Sequence, residues 1–320
     1  MVLVRRRVID KPQLPLVCLV AVWTAFTGIF FGVSYGHGQE SEARLTMGEI
    51  QLYRRAPTIL DWSPNEIRSH PELMKLRPAE SGSDLAAILL KLGTGVARFF
   101  DQFQDTTSIE RVQTQSCQDP NPCDTTAVKV FRYLFVAGQR SGTPALREYR
   151  KDMQGRTVDY LNELVVTYGF ASPPLYFHPR YQGSCRFRYF GREELRGSDT
   201  EVVGFAQIPE EEAPVIEVDI GGKTAHILEQ GLVWIDVKTA EILRIQSSLL
   251  APRPDVGLEQ QSTDVEFSAI RLSETPAPLR LPTHVVVDVT AFNNHIRDIH
   301  DYSDFKLFRS ESRMVGAPYR

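Results

Sequence analysis

The sequence is short of everything that usually announces a chemistry. No Gly-x-Ser-x-Gly elbow occurs, and Gly169-Phe170-Ala171-Ser172-Pro173 lacks the final glycine, so a serine hydrolase has no nucleophile turn to work from. Gly222-Lys223-Thr224 ends like a phosphate-binding loop, but Glu217 stands where the first glycine is required and no long amphipathic helix follows; the tripeptide reads as a hairpin turn. The seven histidines show no metal spacing. On a strand, His295 and His300 point to opposite faces, and with Asp298, Asp301 and Asp304 they read as a solvated polar strand. His178, before Pro179, reads as part of a loop packed on a sheet edge. Glu210, Glu211 and Glu212 are consecutive and read as a soluble rim, not an acid/base pair. There is no clustered basic face, and the formal net charge is −4, so nucleic acid is not an expected partner. Neither a cofactor nor a metal site is expected, and no enzyme activity. Internal repeats and low-complexity tracts are missing too.

What the chain has is an address. Arg5, Arg6, Arg7 and Lys11 form a basic head, Leu14 to Val33 contains Thr24 and Thr27 as its only polar members, and Gly36-His37-Gly38 closes the stretch with small residues. Residues 1–38 therefore read as a signal peptide or, if uncleaved, a signal anchor that touches the membrane through residues 14–33. Either way the remainder is sent across the membrane, to a periplasmic location.

Cysteine is scarce, and its four positions differ in meaning. Cys18 lies within the leader. Cys117 and Cys123 bracket the turn-prone Gln-Asp-Pro-Asn-Pro between strand-like segments, which in an oxidising compartment predicts a disulfide at a hairpin tip, contributing roughly 2 kcal/mol. Cys185 alternates with Arg186, Phe187, Arg188 and Tyr189, as a small buried residue would.

The pattern predicts an α+β fold. Residues 39–82 form a Pro-rich arm of short helices, one of them started by Ser63-Pro64-Asn65-Glu66 with a capping box. Residues 83–313 form the main domain and 314–320 a tail. Leu85, Ile88, Leu89, Leu92, Val96, Phe99, Phe100 and Phe103 make one helical stripe, interrupted by Gly93 and Gly95, which suit close approach of another backbone. After Thr107 the period becomes two. Strand-like runs with connections mostly too short for crossover helices predict a curved antiparallel sheet, an incomplete β-barrel packed on that N-terminal amphipathic helix. Asp159 to Phe170 is ambiguous and leans to a helix or an irregular crossing of one sheet face.

Aromatic residues alternate along these strands. Phe131, Tyr133, Phe135, Phe187, Tyr189, Phe205 and Trp234 are the candidate lining of a concave apolar surface, which either fills with side chains or leaves room for a greasy ligand.

Gly231 to Ile245, Gly-Leu-Val-Trp-Ile-Asp-Val-Lys-Thr-Ala-Glu-Ile-Leu-Arg-Ile, resembles the Trp-Ile-Asp hairpin of the LolA/LolB-like superfamily of bacterial periplasmic lipoprotein carriers. Late segments Leu281-Pro282 and Tyr302-Ser303-Asp304-Phe305 keep the family's order, so the resemblance spans roughly residues 83–310. It implies an incomplete antiparallel barrel on helices, Trp234 as an inward anchor, Asp236 and Thr239 bonding the turn backbone, and no catalytic residues. The chain departs from the carriers in its length, its cysteine hairpin and its arm. The expected function is that of an exported envelope protein binding a lipid, an acyl chain or a lipidated partner such as a lipoprotein. The alternative is a structural or protein-interaction module of the envelope with a filled core.

Overall fold

The computed structural model describes residues 2–5, 45–79, 84–103, 105–118, 122–140, 143–156, 170, 173–211, 216–220, 223–273, 275 and 277–308. The apolar run 14–33 and most of the ambiguous segment before Phe170 lie outside them. Among the described residues no helix is long and apolar enough to cross a membrane.

The described residues form three α-helices and fourteen strands. The helices are α1 (Met47–Arg54), α2 (Pro64–Ser69) and α3 (Leu85–Gln102). The first strands are β1 (Val2–Arg5), β2 (Arg77–Pro78), β3 (Thr106–Cys117), β4 (Asp124–Arg140) and β5 (Thr143–Lys151). Then come β6 (Cys185–Leu195), β7 (Ser198–Gln207), β8 (Ile216–Ile220), β9 (Lys223–Ile227) and β10 (Glu229–Asp236). The last are β11 (Ile242–Leu249), β12 (Leu258–Ile270), β13 (Leu279–Ala291) and β14 (Asn294–Leu307).

Eleven strands form one sheet in the order β2-β6-β7-β10-β11-β12-β13-β14-β3-β4-β5, antiparallel at every pairing, with β2 and β5 as its open edges. This is the incomplete barrel that the two-residue period and the Trp-Ile-Asp resemblance predict. The expected disulfide Cys117–Cys123 closes the β3–β4 hairpin. Cys185 is buried as expected, and burial pushes its thiol up to about 12, which keeps it unreactive at neutral pH.

α3 lies in the concavity. Asp84 caps it by accepting from the Ala87 N–H at 3.0 Å, and Leu92, Val96, Phe100 and Phe103 join the main core. Its two glycines sit where other groups come close: a Cβ on Gly93 would meet the Gln182 side-chain amide at 2.6 Å and the Phe177 carbonyl at 3.2 Å, and one on Gly95 the Ala240 carbonyl at 3.3 Å. Gln182 uses that proximity, donating to the carbonyls of Leu89 and Phe177 at 2.9 and 2.8 Å.

The arm forms its short helices, with the capping box at Ser63 and Glu66 and a second at Thr46 and Glu49, but it is not a free spacer. Ile59 and Leu73 pack with Phe190, Val202, Leu232 and Trp234 on the convex side of the sheet, and Tyr53 packs with Ala206, Leu228 and Leu250 beside them. Arg253 fastens α1, donating to Glu49 at 2.9 Å and to the carbonyl of His226.

A separate three-stranded sheet pairs β1 with β8 and β8 with β9; the Gly221-Gly222 turn expected between β8 and β9 lies outside the described residues. β1 falls within residues 1–38, the stretch expected to act as a leader. Its pairing and a leader that is removed or held across a membrane exclude each other in one molecule.

Candidate functional site

The Trp-Ile-Asp hairpin orients the sheet faces. Asp236 Oδ1 accepts from the N–H groups of Lys238 and Thr239 at 2.9 and 2.8 Å and from the Thr239 hydroxyl at 3.2 Å, as the resemblance implies. Burial raises the Asp236 carboxyl, and these donors more than offset it, holding it below its ordinary range. The inward anchors, however, are Val233 and Ile235. Trp234 faces the other way, and its assignment to the concavity is corrected. Its indole donates to Glu193, and the Arg244 guanidinium, paired with Glu72 and Asp264, lies 4.8 Å from its ring centre. The arm covers this face, so both parities of β10 are apolar and composition could not choose between them.

The other expected lining residues do lie on or beside the concave core, but protein side chains occupy the space before them. Phe177, from the 3-10 turn Pro173–Phe177, sits 5.5 Å from Phe205 and 5.8 Å from Phe187, ring centre to ring centre, and Tyr176 covers Phe205 from 5.5 Å. Tyr189 packs against the same core from its margin. Tyr133 and Phe135, both fully buried, stack on each other at 4.9 Å and on Tyr302 at 5.3 and 6.2 Å. The Phe131 ring lies 5.1 Å beneath the Arg150 guanidinium.

Arg150 belongs to a buried polar cluster that no local pattern announced. Its Nε and Nη2 donate to the two Glu110 oxygens at 2.5 Å each, the Tyr302 hydroxyl donates to Glu110 Oε1 at 2.9 Å, and His300 Nδ1 stands 2.9 Å from the same oxygen. Tyr133 donates to Glu148 at 2.5 Å. Burial raises Glu110, but Arg150 and His300 more than offset it and hold the carboxyl below its ordinary range. Burial also keeps the phenols of Tyr133 and Tyr302 well above theirs, so they remain donors. The expectation of a solvated strand at 295–304 thus fails for His300 and for Asp298, both buried, the latter bonded by Thr114 at 2.7 Å. His295 does face the opposite side, 2.8 Å from Asp288. Among the described residues no group of ligands could hold a metal ion.

Open space lies instead at one mouth of the half-barrel. A cleft of ≈ 650 Å³ separates α3 from the β10–β11 turn and the start of β13. Val96, Phe99, Phe103, Ile242, Phe267 and Leu279 supply its apolar surface, and Arg98, Asp101, Glu241 and Arg280 its charges. None of the seven expected lining residues touches it. The helical stripe held part of the signal, because Val96, Phe99 and Phe103 belong to it; the loop residues carried none. His178 flanks the same helix, its ring 6.3 Å from Phe100, and burial lowers its pKa. A smaller depression of ≈ 260 Å³ on β11 to β14 is lined by polar groups including Ser262, Asp288, Thr290 and His295.

No protein-family model matches the chain, and no curated protein matches it. Among solved structures, it is similar to a domain of an outer membrane lipoprotein-sorting protein from Vibrio parahaemolyticus, at 11% identity and a TM-score of 0.37, over 70% of this chain and 93% of that one. A DUF1329 family protein from Desulfovibrio piger is similar at 10% identity and a TM-score of 0.36, over 70% of this chain and 95% of that one.

Proposed function

We propose that this is an exported envelope protein that binds a lipid, an acyl chain or the lipid moiety of a lipidated partner, and that it catalyses no reaction. Residues 1–38 serve as its leader, and residues 14–33 hold it to the membrane where the leader is retained. The observation that carries the reading is the cleft beside α3. Its volume of ≈ 650 Å³ falls within the roughly 300–1,000 Å³ common for ligand sites, and its aliphatic and aromatic floor beneath a charged rim suits an amphiphile. Absence of catalysis is supported by the saturation of Glu110: a carboxylate already accepting from Arg150 and Tyr302 and meeting His300 is a poor base. The second reading, an interaction module with a packed core, draws on Phe177 filling the space between Phe187 and Phe205.

Native mass spectrometry of protein purified from the envelope separates the two readings. Co-purifying lipid is expected, along with saturable uptake of a fluorescent acyl probe by delipidated protein and at least tenfold weaker uptake by Phe99→Glu with unchanged circular dichroism. A clean apo mass together with no probe uptake sinks the lipid reading and leaves the packed module. The same spectra report the mature N-terminus, and a first residue after position 38 supports the leader.

A further inference from the structure

The rim of the cleft carries four charged side chains, and they are not equivalent. Arg280 Nε donates to Glu241 at 2.9 Å, so those two charges compensate each other. Asp101 stands near enough to His178 to act on its charge. Arg98, one turn before Asp101 on α3, lines the same cleft as Val96 and Phe99, is exposed and has no hydrogen bond or ion pair with any described residue. A guanidinium that lines an apolar cleft and pairs with no described residue is a fork of donors shaped for a carboxylate or a phosphate.

We infer that the ligand of this cleft is an anionic amphiphile whose carboxylate or phosphate head is held at Arg98 while its chain lies along Val96, Phe99, Phe103, Ile242, Phe267 and Leu279. The inference rests on the acyl-chain reading and adds the chemistry of the head. A neutral head would form no ion pair with Arg98. A cationic head would meet it as a like charge and would have to be held by Asp101 instead.

Competition against the fluorescent acyl probe on the full chain tests this, with palmitate, methyl palmitate, a phosphate-headed single-chain lipid, an acyl amine and inorganic phosphate as competitors. Wild type should prefer palmitate to its methyl ester about fivefold at low salt, a preference of the size an exposed ion pair supports and one that shrinks as salt rises. Arg98→Gln should abolish the preference by weakening palmitate more than its ester, and Asp101→Asn should widen it. Competition by the phosphate-headed lipid but not by inorganic phosphate is expected, since the head is read only as part of the amphiphile. Displacement by inorganic phosphate alone, equal binding of acid and ester, or strongest binding by the amine would overturn the assignment while the acyl-chain reading stands. Failure of every amphiphile to bind overturns both.

Discussion

The two halves of the large sheet solve the problem of coverage differently. Across β7 and β10 both faces are covered, by the arm outside and by the Pro173–Phe177 turn inside, and these strands are apolar on both parities: Val202, Leu232 and Trp234 meet the arm while Val203, Val233 and Ile235 meet the core. From β12 round to β5 the outer face is largely exposed among the described residues. There Val285, Val287 and Val289 point inward while Asp288 and Thr290 point outward, and the outer surface is laced with pairs such as His284 with Asp301 and Arg297 with Asp288. The open half nevertheless places charge inside, where Glu110, Arg150, His300 and Tyr302 meet. Apolar patterning therefore tracks what covers a strand, and buried charge appears where strands distant in sequence can supply all its partners.

If that contrast is right, the largest effect should come from the charged interior. Glu110→Gln takes the bidentate carboxylate from the buried Arg150 charge and should cost about 3–5 kcal/mol in denaturant unfolding, since breaking one partner of a buried pair is worse than never having it. The same carboxyl sets an acid limit. Its folded pKa lies below its unfolded one, so its contribution is complete above the ordinary carboxylate range of about 4.3 and is lost as pH falls through the depressed value. Wild type should lose stability over that acid window and Glu110→Gln should lose less there; parallel pH profiles of the two would remove the cluster from the account. On the covered half, Trp234→Leu gives up the bond to Glu193 and the stacking beneath Arg244, at about 2–3 kcal/mol. Hydrogen exchange should then rise in the arm and in β10 while β3 and β14 stay protected, and a uniform rise would mean that the halves are not separable. The smallest effect belongs to the hairpin tip. Cys117→Ser with Cys123→Ser opens a short loop and should cost about 2 kcal/mol at most, without disturbing the Glu110 cluster.

Much of this architecture was legible along the chain. The helical stripe from Leu85, the two-residue period after Thr107, the capping box at Ser63 and the opposite facing of His295 and His300 are all short-range patterns, each fixed by backbone geometry within a few residues. The candidate site was legible only in its α3 half. Val96, Phe99 and Phe103 stood in the stripe, but Ile242, Phe267, Leu279 and the rim residue Arg280 come from the ends of β11, β12 and β13, which meet α3 only after the sheet curls. Glu110 and His300 are 190 residues apart and share a hydrogen bond because β14 pairs with β3.

By itself, then, the sequence determined which segments become rods and which become strands, because dihedral preference and side-chain period act locally. It also placed the cysteine pair at a hairpin tip. Tertiary structure alone decided which parity of β10 looks inward, that the arm lies on the sheet, that Phe177 fills the concavity, and that free space is left at its mouth. Those outcomes depend on which surfaces meet, and two apolar faces look alike until something covers one of them.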